Sequence, residues 1–251
     1  MMQQEQIAAH IAEVRARIAH AAERAGRDPA EVTLVAVSKT QPIELVQMAY
    51  RAGISDFGEN RVQEALPKID ALHPAGLRWH LIGHLQSNKA GKASREFDCI
   101  HSIDSLHLAR VLNRNRLEHI QIQNTSVHLD RLPVLLQVNV TGEESKEGVA
   151  VAEAPLLARQ VAALPSLEIQ GLMTIAPLVE DPEEARPAFR ALRELRERLR
   201  DELPECSWRH LSMGMTGDYQ VAIEEGATIV RIGRAIFGER ANKQKTTLPV
   251  S

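Results

Sequence analysis

The sequence predicts an α/β protein, a single (β/α)8 barrel of the TIM type with an extra N-terminal helix. Eight short β-like runs occur along the 251 residues, and every gap between them holds a helix-patterned segment. Strict alternation of this kind requires parallel strands joined by right-handed crossovers. Eight such units in about 250 residues match a closed barrel in size and number. A doubly wound open sheet is the alternative, but it usually contains fewer strands.

The chain opens with a helical pattern that we assign, with its ending turn, to residues 1–30. Gly26 and Pro29 end this helix, because glycine favours the residue after a helix and proline cannot continue one. One apolar stripe at spacings of four, three and four residues marks its buried face: Ile7, Ile11, Val14, Ile18.

The eight strand candidates are short apolar runs, and the first of them is apolar on both faces. That pattern favours a buried parallel strand over an antiparallel strand with one solvated face. The predicted strands are 32–39, 54–60, 77–84, 97–103, 132–140, 167–175, 208–214 and 227–233. The helix-patterned segments between them are 43–53, 62–72, 87–97, 105–114, 154–164, 183–199 and 218–226.

Nothing in the sequence divides the chain into separate domains, so we assign residues 1–251 to one domain. The least regular stretch, 115–131, is polar with weak periodicity, and we interpret it as an enlarged connection. The polar tail, 241–251, is expected to fray.

Composition excludes several classes of function. Lys and Arg total 30 against 33 Asp and Glu, a net charge of −3, and aromatic residues make up 3%. A nucleic-acid or membrane partner is therefore not expected. Two cysteines outside any CxxC pair, with no secretory or membrane segment, predict a cytoplasmic protein. The helices show no large spare apolar face, so we expect a monomer.

Barrel sites form where strands end and βα loops begin, and the predicted strand ends are polar. Lys39 is the most informative, because a lysine at the lip of a dry barrel interior is disfavoured as an ammonium ion. Its free amine can form a Schiff base with an aldehyde. The alternative is a solvated lysine or an ion-pair partner. The strand ends also supply Glu59, Asn60, His84, Asp104, Asn139, Thr174, Ser212, Met213 and Arg231.

Two loops near the C-terminus predict a phosphate site. The segment 210–226 places small and hydroxyl residues in a turn before a helix, which Thr216 or Asp218 can cap. The last strand ends in Arg231-Ile232-Gly233-Arg234, where glycine allows the backbone to approach a ligand. Phosphate sites after strands seven and eight are common in this architecture. Ordinary turn chemistry is the alternative for either loop alone, whereas both loops opposite Lys39 favour a phosphorylated carbonyl ligand.

His80 and His84 are separated by four residues, a metal-binding spacing only on a helix. On the predicted strand they would lie roughly 13 Å apart, too far to share one ion. We therefore expect packing or surface histidines.

Several motifs together resemble the pyridoxal phosphate homeostasis protein family over residues 35–240. These are VAVSKTQP, GISDFGENRVQEALPK, WHLIGHLQSNK, LLQVNVTGEESKEG, GLMTIAP and LSMGMTGDYQVAIEEGATIVRIGRAIFG. The resemblance implies the barrel fold of the bacterial alanine racemase domain, called fold type III among pyridoxal phosphate proteins. It also implies that pyridoxal 5′-phosphate is the cofactor and that the protein buffers or delivers it inside the cell.

The resemblance also implies roles for individual residues. Lys39 would hold the cofactor as a Schiff base, and Arg231 would face the pyridine nitrogen. Asn60 would face the ring, and Lys146 would lie in a loop near the cofactor. The phosphate would be bound by Ser212, Thr216, Gly233 and Arg234.

Three functions remain open from the sequence: a cofactor carrier, a fold-type III enzyme such as an amino-acid racemase, and a Schiff-base aldolase. A racemase needs acid–base groups on both faces of the cofactor, and racemases take a tyrosine for this from an extra domain. Here Tyr50 and Tyr219 both lie in helical segments, and the chain ends 18 residues after Gly233. We therefore expect a carrier without enzymatic activity, whose recipients are apo-forms of pyridoxal phosphate enzymes.

Overall fold

Eight parallel strands close into a barrel in the computed structural model, which describes residues 2–123, 131–143 and 146–238. The described residues contain nine strands, of which all but β6 belong to this ring: Thr33–Val37 (β1), Asp56–Glu59 (β2), Arg78–Leu81 (β3), Cys99–Ile103 (β4), Leu132–Asn139 (β5), Val149–Ala150 (β6), Leu167–Met173 (β7), His210–Ser212 (β8) and Ile229–Ile232 (β9). The pairs β1–β9 and β4–β5 close the ring. The predicted fold class is confirmed.

The strand β6 is outside the barrel ring and was not predicted. It contributes two residues that pair with the end of β5, Val138 with Val149 and Asn139 with Ala150. Two residues are too few to show the alternation by which a strand is recognised in a sequence.

Helices cover the outside of the barrel, and each predicted helical segment contains one. Their bounds are Met2–Arg24 (α1), Ile43–Arg51 (α2), Val62–Ala71 (α3), Ala90–Glu96 (α4), Leu106–Gln123 (α5), Ala154–Ala162 (α6), Arg186–Glu202 (α7), Tyr219–Glu224 (α8) and Arg234–Phe237 (α9). The four-residue α9 was not predicted. Of the helices in the described ranges, none combines the length and apolar content needed to cross a bilayer.

The interpretation of 115–131 as an irregular connection is wrong for residues 115–123. These residues continue α5, which is 18 residues long. Their polar side chains have partners in the fold, because Asn115 donates to Val111 O and Arg116 donates to Ser94 O. Ile120 is buried on the same helix. Residues 124–130 and the predicted tail 241–251 lie outside the described ranges.

The apolar core lies mainly between the strands and the helices, and the barrel interior holds only a small separate cluster. The predicted stripe of α1 is buried, and α1 packs against α2, α8 and α9. The interior cluster consists of Val35, Cys99, Leu135, Met173 and Ile229. The rest of the interior therefore has space for polar side chains, which determine the properties of the site.

Candidate functional site

A cavity of about 210 Å³ opens at the carboxyl ends of the strands. Six of the seven predicted site residues line it: Lys39, Asn60, Thr216, Arg231, Gly233 and Arg234. The remaining lining residues are Val37, Gln41, Ile82, Ile175, Met215 and Gly238. Ser212 does not line the cavity, because its side chain is fully buried below the floor and bonds to Arg231.

Lys39 reaches the cavity from a sharp turn rather than from the strand itself. The predicted strand extends to Lys39, whereas β1 ends at Val37. Thr40 has φ = 64°, in the left-handed region that β-branched residues rarely adopt. Such a conformation costs on the order of 1–3 kcal/mol and persists only where surrounding contacts impose it. The turn after β1 is therefore held in a strained form that places partly buried Lys39 at the cavity.

Arg231 forms the floor of the cavity and is the most buried cation near it. Nη1 donates to Ser212 Oγ at 2.7 Å, and Nη2 donates to Thr174 O at 2.8 Å. Burial lowers the pKa of the guanidinium from 12.5 to about 10, so it stays charged at neutral pH. Within the described ranges, no carboxylate forms an ion pair with Arg231. A buried cation of this kind favours an anion or a lone pair in the cavity.

A chain of hydrogen bonds continues from Arg231 through the barrel interior. Ser212 Oγ lies 3.0 Å from His101 Nδ1, and His101 Nε2 lies 3.0 Å from His80 Nδ1. The last link joins His80 Nε2 to Asp56 Oδ1 at 2.9 Å. Since a carboxylate only accepts, His80 donates from Nε2. With both histidines neutral, His101 then donates to His80 and accepts from Ser212. Every donor in the chain has one acceptor.

The electrostatics of the chain favour this neutral arrangement. Burial, with the charges of His80 and Arg231 adding to it, holds the pKa of His101 well below its usual range. Burial alone would raise the pKa of Asp56, but hydrogen bonds from His80, Arg78 and Ser55 lower it well below its usual range. Asp56 is therefore a carboxylate that anchors the far end of the chain.

The prediction for the two histidines missed this arrangement, because the partner of His80 lies on the next strand. His80 and His101 come close to Cys99, and the three ligand atoms lie within 4.8 Å of one another. A hydrogen bond already joins the two imidazoles, and burial raises the pKa of the Cys99 thiol. Both features favour protons over a metal ion. His84 lies at the rim, 3.7 Å from carboxylate oxygens of Asp104 and Glu147.

The two predicted phosphate loops border the cavity side by side. Thr216 lies in the loop after β8, and Gly233 and Arg234 follow β9. A Cβ atom on Gly233 would lie 3.3 Å from Val37 O, so any larger residue would crowd β1. The prediction that Thr216 or Asp218 caps the following helix is wrong, because no side chain bonds to the first N–H groups of that helix among the described residues. The Asp218 carboxylate accepts from the upstream Met215 N–H at 2.6 Å rather than from the helix.

Asn60 and Lys146 differ in their relation to the cavity. Asn60 follows β2, and its buried Oδ1 has no hydrogen-bond partner within the described ranges. An unpartnered buried acceptor costs free energy, so it favours a ligand with a donor. Lys146 does not line the cavity, since its Nζ pairs with Glu143 Oε1 at 2.7 Å. The buried Asn60 acceptor, the Arg231 cation and the close approach at Gly233 together fit an anionic heteroaromatic cofactor.

Several site residues were missed because they show no separate pattern in the sequence. Gln41, Ile82 and Ile175 lie beyond strand ends, and nothing in the sequence distinguishes them from other loop or strand residues. His101 and Asp56 lie inside predicted strands. Only the alternation of inward and outward positions along those strands could have indicated that they face the barrel interior.

Comparison with known proteins matches residues 9–241 to the family described as alanine racemase, N-terminal domain. A pyridoxal phosphate homeostasis protein of Pseudomonas aeruginosa is 47% identical over 234 residues, covering 93% of this chain and 96% of the relative. The one from Aquifex aeolicus is 44% identical over 230 residues, with coverage of 92% and 96%. The structure of Synechococcus elongatus PipY with PLP bound aligns with a TM-score of 0.78 and 38% identity, covering 93% of this chain and 100% of that one. These matches confirm the resemblance drawn from the motifs.

The partly buried His210 predicts that acid destabilises the fold. Burial, with Arg209 and His80 nearby, lowers the pKa of His210 from 6.5 to about 4. Between those values the unfolded chain binds a proton that the folded chain does not. The stabilising effect is therefore complete above pH 6.5 and is lost as the pH falls toward 4. Each such proton contributes at most about 1.4 kcal/mol per pH unit to the free energy of unfolding.

Urea unfolding at several pH values between 7.5 and 4.5 measures this slope. His210→Gln should flatten it, with His84→Gln as the control for loss of a rim histidine. The assignment would be contradicted if the free energy of unfolding stayed constant or increased as the pH falls from 7.5 to 4.5.

Proposed function

We propose that this chain, which belongs to the pyridoxal phosphate homeostasis protein family, binds pyridoxal 5′-phosphate covalently through Lys39 and buffers or delivers it inside the cell. The observation that supports this most directly is the cavity itself. It joins a lysine at its rim, a buried cation at its floor and two loops suited to phosphate. The recipients we propose are apo-forms of pyridoxal phosphate enzymes.

Each side of the cavity has a separate task in this proposal. The cofactor supplies an aldehyde, which the amine of Lys39 attacks so that a C=N bond forms and water leaves. Thr216 and the backbone at Gly233 and Arg234 would bind the phosphate. The first N–H groups of α9 have no acceptor within the helix and are suited to that task. Asn60 Oδ1 would accept from a donor on the ring.

Arg231 favours cofactor storage over catalysis. Its guanidinium has five N–H groups, and the bonds to Ser212 and Thr174 use two of them. A guanidinium can only donate hydrogen bonds. If Arg231 faces the pyridine nitrogen, that nitrogen accepts from it and stays unprotonated. An unprotonated ring withdraws electrons less strongly than one paired with a carboxylate, which lowers the acidity of a bound amino acid.

The position of the tyrosines argues in the same direction. Tyr50 lies on α2 and Tyr219 on α8 near Arg17 of α1, and neither tyrosine lines the cavity. Among the described residues that line the cavity, none is a tyrosine or a cysteine. A second base on the opposite face is therefore missing from that set. This disfavours the racemase, which needs such a base. The aldolase, which also forms a Schiff base with a phosphorylated substrate, remains the second candidate because Lys39 and the phosphate loops suit it as well.

The attachment at Lys39 predicts a coloured protein. Purified protein should absorb near 420 nm, and borohydride reduction followed by peptide mapping should place the pyridoxyl group on Lys39. Lys39→Ala should abolish the covalent label while the far-ultraviolet circular dichroism stays unchanged. Lys146→Ala is the matched control, because Lys146 lies outside the cavity. This variant should keep the label on Lys39. Label on another lysine, or none in the wild type, would contradict the site. An aldolase would be isolated without this chromophore.

The absence of a second base from the cavity lining predicts negligible racemisation. A general acid or base usually contributes about 10²–10⁴-fold to a rate, so one-sided proton transfer should be too slow for efficient turnover. L- and D-alanine are incubated with the loaded protein in deuterium oxide. The enantiomer ratio and the exchange of the α-proton are then measured over time. Slow exchange without net racemisation is the expected result. Racemisation on the order of 10 per second would establish an enzyme instead.

A further inference from the structure

A buried ion pair lies directly behind the turn that carries Lys39. Lys68 on α3 is 8% exposed and Glu59 at the end of β2 is 0% exposed. Lys68 Nζ donates to Glu59 Oε1 at 2.7 Å, and we call this contact the Lys68–Glu59 pair. The inward face of α3 is otherwise apolar, with Val62, Ala65 and Ile69 buried beside the lysine.

Folding alone does not account for a charge at this position. Removing a lysine and a carboxylate from water carries a large cost in free energy, and a buried ion pair is often no more stabilising than apolar packing. One oxygen of the pair, Glu59 Oε2, is buried without a hydrogen-bond partner among the described residues. The pair therefore contributes more to geometry than to stability.

The geometry that the pair fixes is that of Ser38, the residue before Lys39. Lys68 Nζ donates to Ser38 O at 2.6 Å, and Ser38 Oγ donates to Glu59 Oε1 at 2.7 Å. Ser38 N–H donates to Gly58 O at 3.0 Å. The amide, the carbonyl and the hydroxyl of Ser38 are thus all bound. Since a peptide group is planar, fixing the Ser38 carbonyl also fixes the direction of the Lys39 N–H.

We infer that the Lys68–Glu59 pair is a positioning device for the cofactor lysine. It holds the peptide before Lys39 while Thr40 adopts its left-handed conformation. Glu59 also immediately precedes Asn60, so the pair supports two residues of the cavity lining. The pair itself does not line the cavity. This inference rests on the proposed function, because it assigns a purpose to the orientation of Lys39.

Two ligands separate covalent from non-covalent binding. Pyridoxal 5′-phosphate can condense with Lys39, whereas pyridoxine 5′-phosphate has an alcohol in place of the aldehyde and depends only on the ring and phosphate contacts. Loss of positioning should slow condensation and spare the binding of pyridoxine phosphate. A misplacement of about 1 Å can lower a rate by up to about 10²-fold. We therefore expect at least about a tenfold slower appearance of the 420 nm band in the variant.

The test uses full-length protein from which the cofactor has been removed. Lys68→Met removes the donor, and Lys68→Met combined with Glu59→Gln avoids leaving a lone buried charge that could prevent folding. Arg186→Met is the matched control. It breaks the contact of Arg186 with the buried Glu225 and lies outside the cavity lining. Condensation rate, pyridoxine phosphate affinity by calorimetry and melting temperature are measured for each variant.

The inference predicts slower condensation in both Lys68 variants, pyridoxine phosphate affinity within about twofold of wild type, and an unchanged rate in Arg186→Met. If the affinity for pyridoxine phosphate fell in parallel with the condensation rate, the pair would have only a structural role. That result would overturn the inference. A rate equal to wild type in the folded double variant would overturn it as well. A wild type that takes up no cofactor would instead contradict the proposed function itself.

Discussion

The site depends on a positive charge that is held inside the barrel without a direct ion pair among the described residues. Arg231 lies on β9, and its guanidinium is bound by a serine hydroxyl and a backbone carbonyl rather than by an anion. Because those partners are neutral, and Asp218 acts on the guanidinium only through space, the charge remains available to a ligand in the cavity. The acid that balances the chain electrically is Asp56, at its far end, separated from Arg231 by two imidazoles and a hydroxyl. The distance between these two charges leaves the cavity floor cationic, while each link of the chain joins one donor to one acceptor.

A cofactor store and a cofactor-dependent enzyme place different demands on the same barrel. Both need a lysine, a phosphate site and a group at the ring nitrogen, but the enzyme also needs proton donors and acceptors above and below the ring. The described lining supplies Lys39 on the turn after β1, and its remaining members are mainly apolar or amide side chains. These can orient and shield a bound ring, but they do not exchange protons near neutral pH. This lining supports the proposal of a cofactor store.

Sequence patterns predicted the barrel and six of the twelve residues that line the cavity, because these depend on local features. Apolar runs mark the strands, and Lys39 and Asn60 stand out as polar residues at or just beyond their ends. The interior chain was not predictable in this way, because its members come from five strands and meet only when the barrel closes. Lys68 was missed for a related reason: on a helix a lysine is normally a surface residue, and only the fold shows it facing Glu59. The second half of α5 was missed because its polar side chains, such as Arg116, which donates to Ser94 O of α4, weaken the apolar period.

The decisive experiment for covalent binding at Lys39 is a crystal structure of the protein grown with pyridoxal 5′-phosphate. We expect continuous density from Lys39 Nζ to the aldehyde carbon of the cofactor, and the phosphate between Thr216 and the Gly233 backbone. We also expect the Arg231 guanidinium within hydrogen-bonding distance of the ring nitrogen and still bound to Ser212, as the proposal requires. A cofactor attached to another lysine, or an Arg231 that turns away to bind a carboxylate, would contradict it.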